Sequence, residues 1–318
     1  MSTYIIRRLL QTVPVLLGIS LAVFVLIELT PGDPVAAILG LQASPDEVER
    51  LRRAMGLDRP WYIRYGLWLA GVVQGDFGLS YQNGRPVTEL IVQRLPATVE
   101  LAVAAQLAAT LLALPIGVIS AVRQYSLTDY FFTSVALFGI SMPNFWFSIL
   151  LILVFGLHLG WLPASGFVPV AAGLGTHLKH LVLPVTALAL FNVGALARFT
   201  RSSMLEVLSQ DFIRTARAKG LGDRIVIYRH ALKNALIPTL TVVGLQLGFL
   251  LGGSVIVEQV FAWPGIGWLS VTAINQRDYP VVQGVVLLVA AAVVWINVLV
   301  DISYTWVNPR IRYDTGGR

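Results

Sequence analysis

Long apolar runs without a single charge alternate along this chain with short polar stretches. The first runs from Leu9 to Ile27, between Arg8 and Glu28, and the second from Leu101 to Val122, between Glu100 and Arg123. A third covers Tyr130 to about Leu157, a fourth Leu181 to Ala197, a fifth Asn234 to Val257 and a sixth Tyr279 to Val300. A helix needs about 20 apolar residues to cross the hydrocarbon core, because lipid cannot pair with backbone amides and the helix must pair them internally. The pattern predicts an all-α integral membrane protein with six transmembrane helices, an even number that puts both termini on one side.

Composition agrees with that reading. Of 318 residues, 56% are hydrophobic and only 13% charged, far from the mixture of a soluble domain. There is no cysteine, which removes disulfides, thiolate metal sites and a Cys nucleophile from consideration.

Charge then sets the side. Arg198 to Lys233 carries eight basic residues (Arg198, Arg201, Arg214, Arg217, Lys219, Arg224, Arg229, Lys233) against Glu206, Asp211 and Asp223, which accounts for most of the net +6. Arg7, Arg8, Arg123 and the tail residues Arg310, Arg312 and Arg318 fall on the same side, whereas the short opposite loops hold Lys179 and Arg277. The positive-inside rule makes both termini cytoplasmic. These charges flank membrane helices and lack an interleaved aromatic surface, which argues against nucleic acid as a partner. The first span follows Arg7 and Arg8 as a signal peptide would, but its apolar stretch is too long and no small-residue cleavage site follows, so it is expected to stay as a helix.

The largest segment outside the spans, Glu28 to Glu100, opens on TPGDP (30–34), where Pro31 and Pro34 forbid a helix and Gly32 and Asp33 suit a turn. It continues with a helix signature: Ser44 as N-cap, Pro45 first in the helix, Glu47 closing a capping box and Gly56 as the stop. Trp61, Tyr62, Tyr65 and Trp68 follow, aromatics of the membrane interface. The segment reads as an ordered external cap packed on the helices.

Within the spans no charge sits near the centre; Glu28, Glu100, Glu258 and Asp301 lie at ends. An ion-coupled carrier that works alone usually needs ionisable groups at mid-depth. Gly244, Gly248 and Gly252 recur every four residues, a spacing that lets a second helix come close, within this chain or in a partner. Pro143 beside Asn144 predicts a kink in the third span. His158, His177, Lys179 and His180 gather near an external loop without the spacing of a metal or nucleophile motif, so membrane enzyme chemistry is disfavoured.

The basic loop itself predicts two helices. Asp211 would cap a short one with body Phe212 to Lys219, Gly220 would supply the left-handed residue that ends it, and Asp223 would cap a second running through His230 toward Pro238. Arg214, Thr215, Ala216, Arg217, Ala218, Lys219, Gly220 and Leu221 would form a rigid docking knob: Ala216 and Ala218 small enough to seat in a partner's groove, Arg214, Arg217 and Lys219 placed to pair with an acidic rim.

This stretch resembles the coupling-loop signature of ABC-importer membrane subunits, Glu-Ala-Ala, three residues, Gly, nine residues, Ile-x-Leu-Pro. With that glycine on Gly220, Ala216, Gly220 and Leu232 match the general form, while Arg214 and Thr215 depart from it. RTARAKGL (214–221) with HALKNALIP (230–238) is similar to the variant of the dipeptide and oligopeptide permease branch. TPGDP, SMPNFW (141–146), RSSMLEVL (201–208), FAWPGIG (261–267), RDYPVVQG (277–284) and NPRIR (308–312) extend the resemblance along nearly the whole chain, to the first of the two membrane subunits.

The resemblance implies a type-1 ABC importer transmembrane fold, with residues 1–93 as first helix plus external loop, 94–305 as core domain and 306–318 as cytoplasmic tail. It implies a permease subunit in a bacterial cell membrane, with a second homologous permease, two ABC ATPase subunits and an extracytoplasmic binding protein as partners. The cargo would be dipeptides or oligopeptides, or else glutathione, nickel chelate or oligosaccharide. No G-x-x-x-x-G-K-[ST] segment is present, so ATP and Mg would be bound by the partner ATPases, with no cofactor on this chain. A stand-alone secondary transporter is the alternative from another class.

Overall fold

The computed structural model describes residues 2–29, 35, 39 and 43–307; TPGDP and NPRIR lie outside the described residues. In chain order the helices are α1 (Ser2–Leu29), α2 (Pro45–Ala54), α3 (Trp61–Val73), α4 (Val87–Val122), α5 (Leu127–Ser141), α6 (Asn144–His158), α7 (Leu174–Leu208), α8 (Asp211–Ala218), α9 (Asp223–Gly253), α10 (Val255–Val260), α11 (Ile266–Asn275) and α12 (Tyr279–Val307). Among the described residues there is no strand beyond an isolated antiparallel bridge between Leu79 and Pro86.

Five of these helices contain stretches long and apolar enough to cross a membrane, in α1, α4, α7, α9 and α12; the pair α5 and α6 makes a sixth if counted as one span. The third apolar run is therefore broken rather than kinked, bent by 103° between Ser141 and Asn144. Met142 precedes a proline, whose ring disfavours the helical region for its neighbour, and it sits extended at ψ 125. Pro143 then begins α6 from the N-cap position, where its missing N–H costs nothing. Other spans outrun their apolar cores: α4 starts at Val87 rather than Leu101 and, at 36 residues, is about 54 Å long.

Residues 1–98 with 264–294 form one compact unit. In it α2 is built as its sequence predicts: the Ser44 N–H donates to Glu47 Oε2 at 3.0 Å, the Glu47 N–H donates to Ser44 Oγ at 3.4 Å, and Gly56 follows the helix with φ +66. Tyr65 and Trp68 of α3 pack on Phe24 of α1, with ring centroids 5.4 and 6.1 Å away, and the Tyr65 and Ser20 hydroxyls lie 2.9 Å apart. The core joins Val87 and Ile91 of α4, Ile266 and Ala273 of α11, and Val281 and Val285 of α12. Buried Asp278 accepts from the Ser80 hydroxyl and, at 2.9 Å, from the Tyr81 N–H, which ties the loop before α4 to the turn before α12.

Residues 99–263 with 295–318 form the second unit. Here α4 and α7 pack through small residues, with Ala109, Ala113, Ala189 and Ala197 around Leu196, and Val242 and Val243 of α9 pack against them. Gly194 on α7 lies so close to α5 that a methyl group in its place would stand 2.4 Å from the Ala136 carbonyl oxygen.

Candidate functional site

The basic loop forms two helices, as its sequence predicts, but with both caps shifted. Gln210 and Gly222 occupy the N-cap positions and neither caps through a side chain; Asp211 and Asp223 are the first helical residues. There the carboxylates meet the positive end of the helix dipole instead of accepting a capping N–H. At the other end of α8 the Lys219 N–H donates to Thr215 O at 3.0 Å and the Gly220 N–H to Arg217 O at 2.9 Å. Gly220 takes φ +78, a conformation that costs other residues a clash of Cβ. The second helix opens through a π-helical stretch, Val226–Ala231, before regular α-helix resumes at Leu232.

α8 has two unlike faces. Ile213 and Ala216, three residues apart, are buried against Val118 and Ala121 at the end of α4, Met204 at the end of α7, and Val226, Ala231 and Ala235 at the start of α9. Arg214, Thr215, Arg217, Ala218, Lys219, Gly220 and Leu221 are exposed. This corrects the expectation for Ala216: it fills a gap in the chain's own core, because the helical period places it beneath Ile213, and Ala218 alone of the two alanines faces outward. Arg214 lies 3.5 Å from Asp211 and Arg217 3.4 Å from Asp223. Exposed pairs of this kind hold little energy and leave the cations available to another surface.

Between α5 and α7 is an ion pair that the apolar pattern concealed. Asp129, 2% exposed in the first turn of α5, accepts two N–H bonds from Arg201 of α7 and a third, at 3.0 Å, from the Tyr125 backbone. The charge-free run begins at Tyr130, and Arg201 reads in sequence as one more loop cation, so neither signals the other.

Between the spans, the three glycines of α9 differ in role. At Gly244 a methyl group would stand 1.9 Å from Cγ2 of Val300 on α12, so the helices touch backbone to side chain. Gly248 is buried, whereas Gly252 is exposed, so the run of three makes no single continuous contact. Gln246 of α9 links two further helices, accepting from Gln106 of α4 at 3.3 Å and donating to the Asn192 carbonyl of α7 at 3.2 Å. Gln106 Oε1 and Asn192 Oδ1 remain buried without a hydrogen-bond donor.

Of the histidines, His177 is buried rather than interfacial. Its ring nitrogens lie 2.7 Å from the Val168 carbonyl and 2.5 Å from Glu100 Oε1, so each nitrogen faces an oxygen acceptor. Phe167 and Trp263 stand against it, with centroids at 5.9 and 6.3 Å. His180 is bonded to the Thr176 carbonyl. Among the described residues no three His, Asp or Glu side chains come together to hold a metal ion.

Long apolar helices, a broken third span and a two-faced short helix between two spans define a multi-span membrane protein. Residues 113–313 match the family of binding-protein-dependent transport system inner membrane components, and residues 1–102 match its N-terminal companion. The chain belongs to this family. A dipeptide transport system permease of Alkalihalophilus pseudofirmus and an oligopeptide transport system permease of Bacillus subtilis are each 44% identical to it, over 98% of this chain and all of theirs. A glutathione transport system permease of Escherichia coli is 42% identical over 98% of this chain and all of its own. An inward-facing structure of the MetNI methionine ABC transporter shares the fold, with TM-score 0.58 and 18% identity, over 69% of this chain and 96% of that one.

Proposed function

We propose that this permease carries dipeptides and oligopeptides, handed over by an extracytoplasmic binding protein, along a pathway formed with a second, homologous permease. Two ATPase subunits, which bind ATP and Mg, dock on α8 and drive the change between inward-facing and outward-facing states; this chain binds no cofactor. Both termini, α8 and the basic residues around it lie in the cytoplasm.

The observation that carries this reading is the division of α8 into a face sunk in the chain's own core and a face that presents Arg214, Arg217, Ala218 and Lys219. A helix fixed in this way passes displacement to the ends of α4, α7 and α9, where a mobile loop would absorb it. The permeases for dipeptides and oligopeptides among its relatives support the cargo. The glutathione permease favours a second cargo, a γ-glutamyl tripeptide.

The test is to tag the chain, extract it gently from its native membrane, identify what stays bound and reconstitute it in proteoliposomes. Co-recovery of a second permease and ATPases, with ATP-dependent uptake of labelled peptides that glutathione does not compete for, is expected. Uptake by the chain alone, driven by an ion gradient, would overturn the proposal.

A further inference from the structure

We propose that His177 and Glu100 form a pH-sensitive latch, which holds down the loop between α6 and α7 at low pH and loosens it as the pair gives up a proton. The groups involved lie within one compact unit, at the end of α7 away from Met204 and α8.

The loop, residues 159–173, is pinned over three successive residues. The Gly166 N–H donates to the Phe261 carbonyl at 2.8 Å, the Phe167 ring meets Trp263 edge to face with centroids 4.8 Å apart, and the Val168 carbonyl faces His177 Nδ1. The other nitrogen of that ring faces Glu100 on α4, so one imidazole joins the loop to two helices.

Proton counting makes the joint titratable. Contacts with oxygen at 2.7 and 2.5 Å need two protons, one on Nδ1 and one between Nε2 and Glu100 Oε1, whichever of those atoms carries it. A neutral imidazole beside an ionised carboxylate supplies only one. A lone pair then faces an oxygen, and in a ring 2% exposed water does not replace the missing bond. The Glu100 side chain is 33% exposed, which lets bulk protons reach the pair, and imidazole is the side chain that titrates near neutrality. The sign follows: the latch is complete while the second proton is bound and is lost as pH rises.

The other charged groups on the packed elements are engaged elsewhere or face outward. Glu258 of α10 accepts from the Ser254 hydroxyl at 2.9 Å, and His180 is bonded to the Thr176 carbonyl. His158 at the end of α6 and Lys179 on α7 are exposed, and the loop itself carries no titratable side chain. Glu100 is thus the group that couples the ring to pH.

The experiment is amide hydrogen exchange on the full chain in its extracted assembly, between about pH 5 and pH 9, read at the peptide containing Gly166. Rates are corrected for the intrinsic pH dependence with an unstructured peptide of the same sequence. Protection in wild type should fall about tenfold across the range. His177→Phe keeps the bulk of the ring, loses both bonds and should exchange fast throughout. Glu100→Gln can donate its amide N–H to a neutral Nε2, so its loop should stay protected at every pH. A flat corrected profile in wild type would overturn the proposal, as would the wild-type slope in Glu100→Gln or wild-type protection in His177→Phe. The readout needs no transport, so it is independent of the cargo.

Discussion

Arg201 holds Asp129 by two parallel bonds, Nε to Oδ1 at 2.8 Å and Nη2 to Oδ2 at 2.7 Å, and so joins α7 to the first turn of α5. A guanidinium fork matches a carboxylate in a way an ammonium cannot. Removing one partner leaves the other charged and unpaired in a poorly hydrated place. Arg201→Ala and Asp129→Ala are each expected to cost about 3–5 kcal/mol, read as a lowered melting temperature of the extracted assembly. Arg201→Lys should recover only part of that loss, and equal stability of Lys and Arg would show that the fork geometry is immaterial.

The two alanines of α8 should separate stability from docking. Ala216→Arg forces a charge into the cluster of Ile213, Met204 and Val226, and a lower melting temperature with less protein in the membrane is expected. Ala218→Arg adds a side chain on the exposed face, so stability should stay within about 0.5 kcal/mol of wild type while ATPase co-purification falls. The reverse pattern would contradict the orientation of this helix.

At Gly220 the open surroundings make the outcome a matter of backbone alone, since nothing lies within 4 Å of an added methyl group. Gly220→Val should cost about 1–2 kcal/mol through its left-handed φ and abolish uptake, with the protein still inserted. Gly220→Asn, which tolerates that conformation, should transport. Equal uptake by the two variants would remove the role given to the turn.

Gly244 and Val300 make a test by compensation. Gly244→Ala drives a methyl group into Val300 and is expected to destabilise by about 1–3 kcal/mol. Val300→Ala in the same chain should return most of it, a coupling that a double-mutant cycle measures directly. Additive losses would mean that the helices relax apart.

How much of this was legible in the sequence depends on the range of each interaction. The cap at Ser44, the stop at Gly56 and the left-handed Gly220 were readable because their partners are near neighbours in the chain. The break at Pro143 was readable in place but not in size, since the 103° turn is set by the packing of both halves. Asp129 was hidden because its partner lies 72 residues away. The role of Ala216 was misjudged for a related reason: spacing gives a small residue a face but not a neighbour, and the neighbours come from three other helices. The same limit separates Gly244, with Val300 against it, from exposed Gly252.

Because Ile213 and Ala216 are locked into the ends of three spans while the cations of α8 point away, grip and stiffness are held by different atoms. The outer charges can be exchanged without altering how firmly the helix is mounted. Conversely, one added methylene beneath Ala216 would slacken the mounting and leave every outward charge in place. On the proposed docking of an ATPase at α8, a transporter with that defect is expected to keep its ATPase bound and hydrolysing while uptake falls.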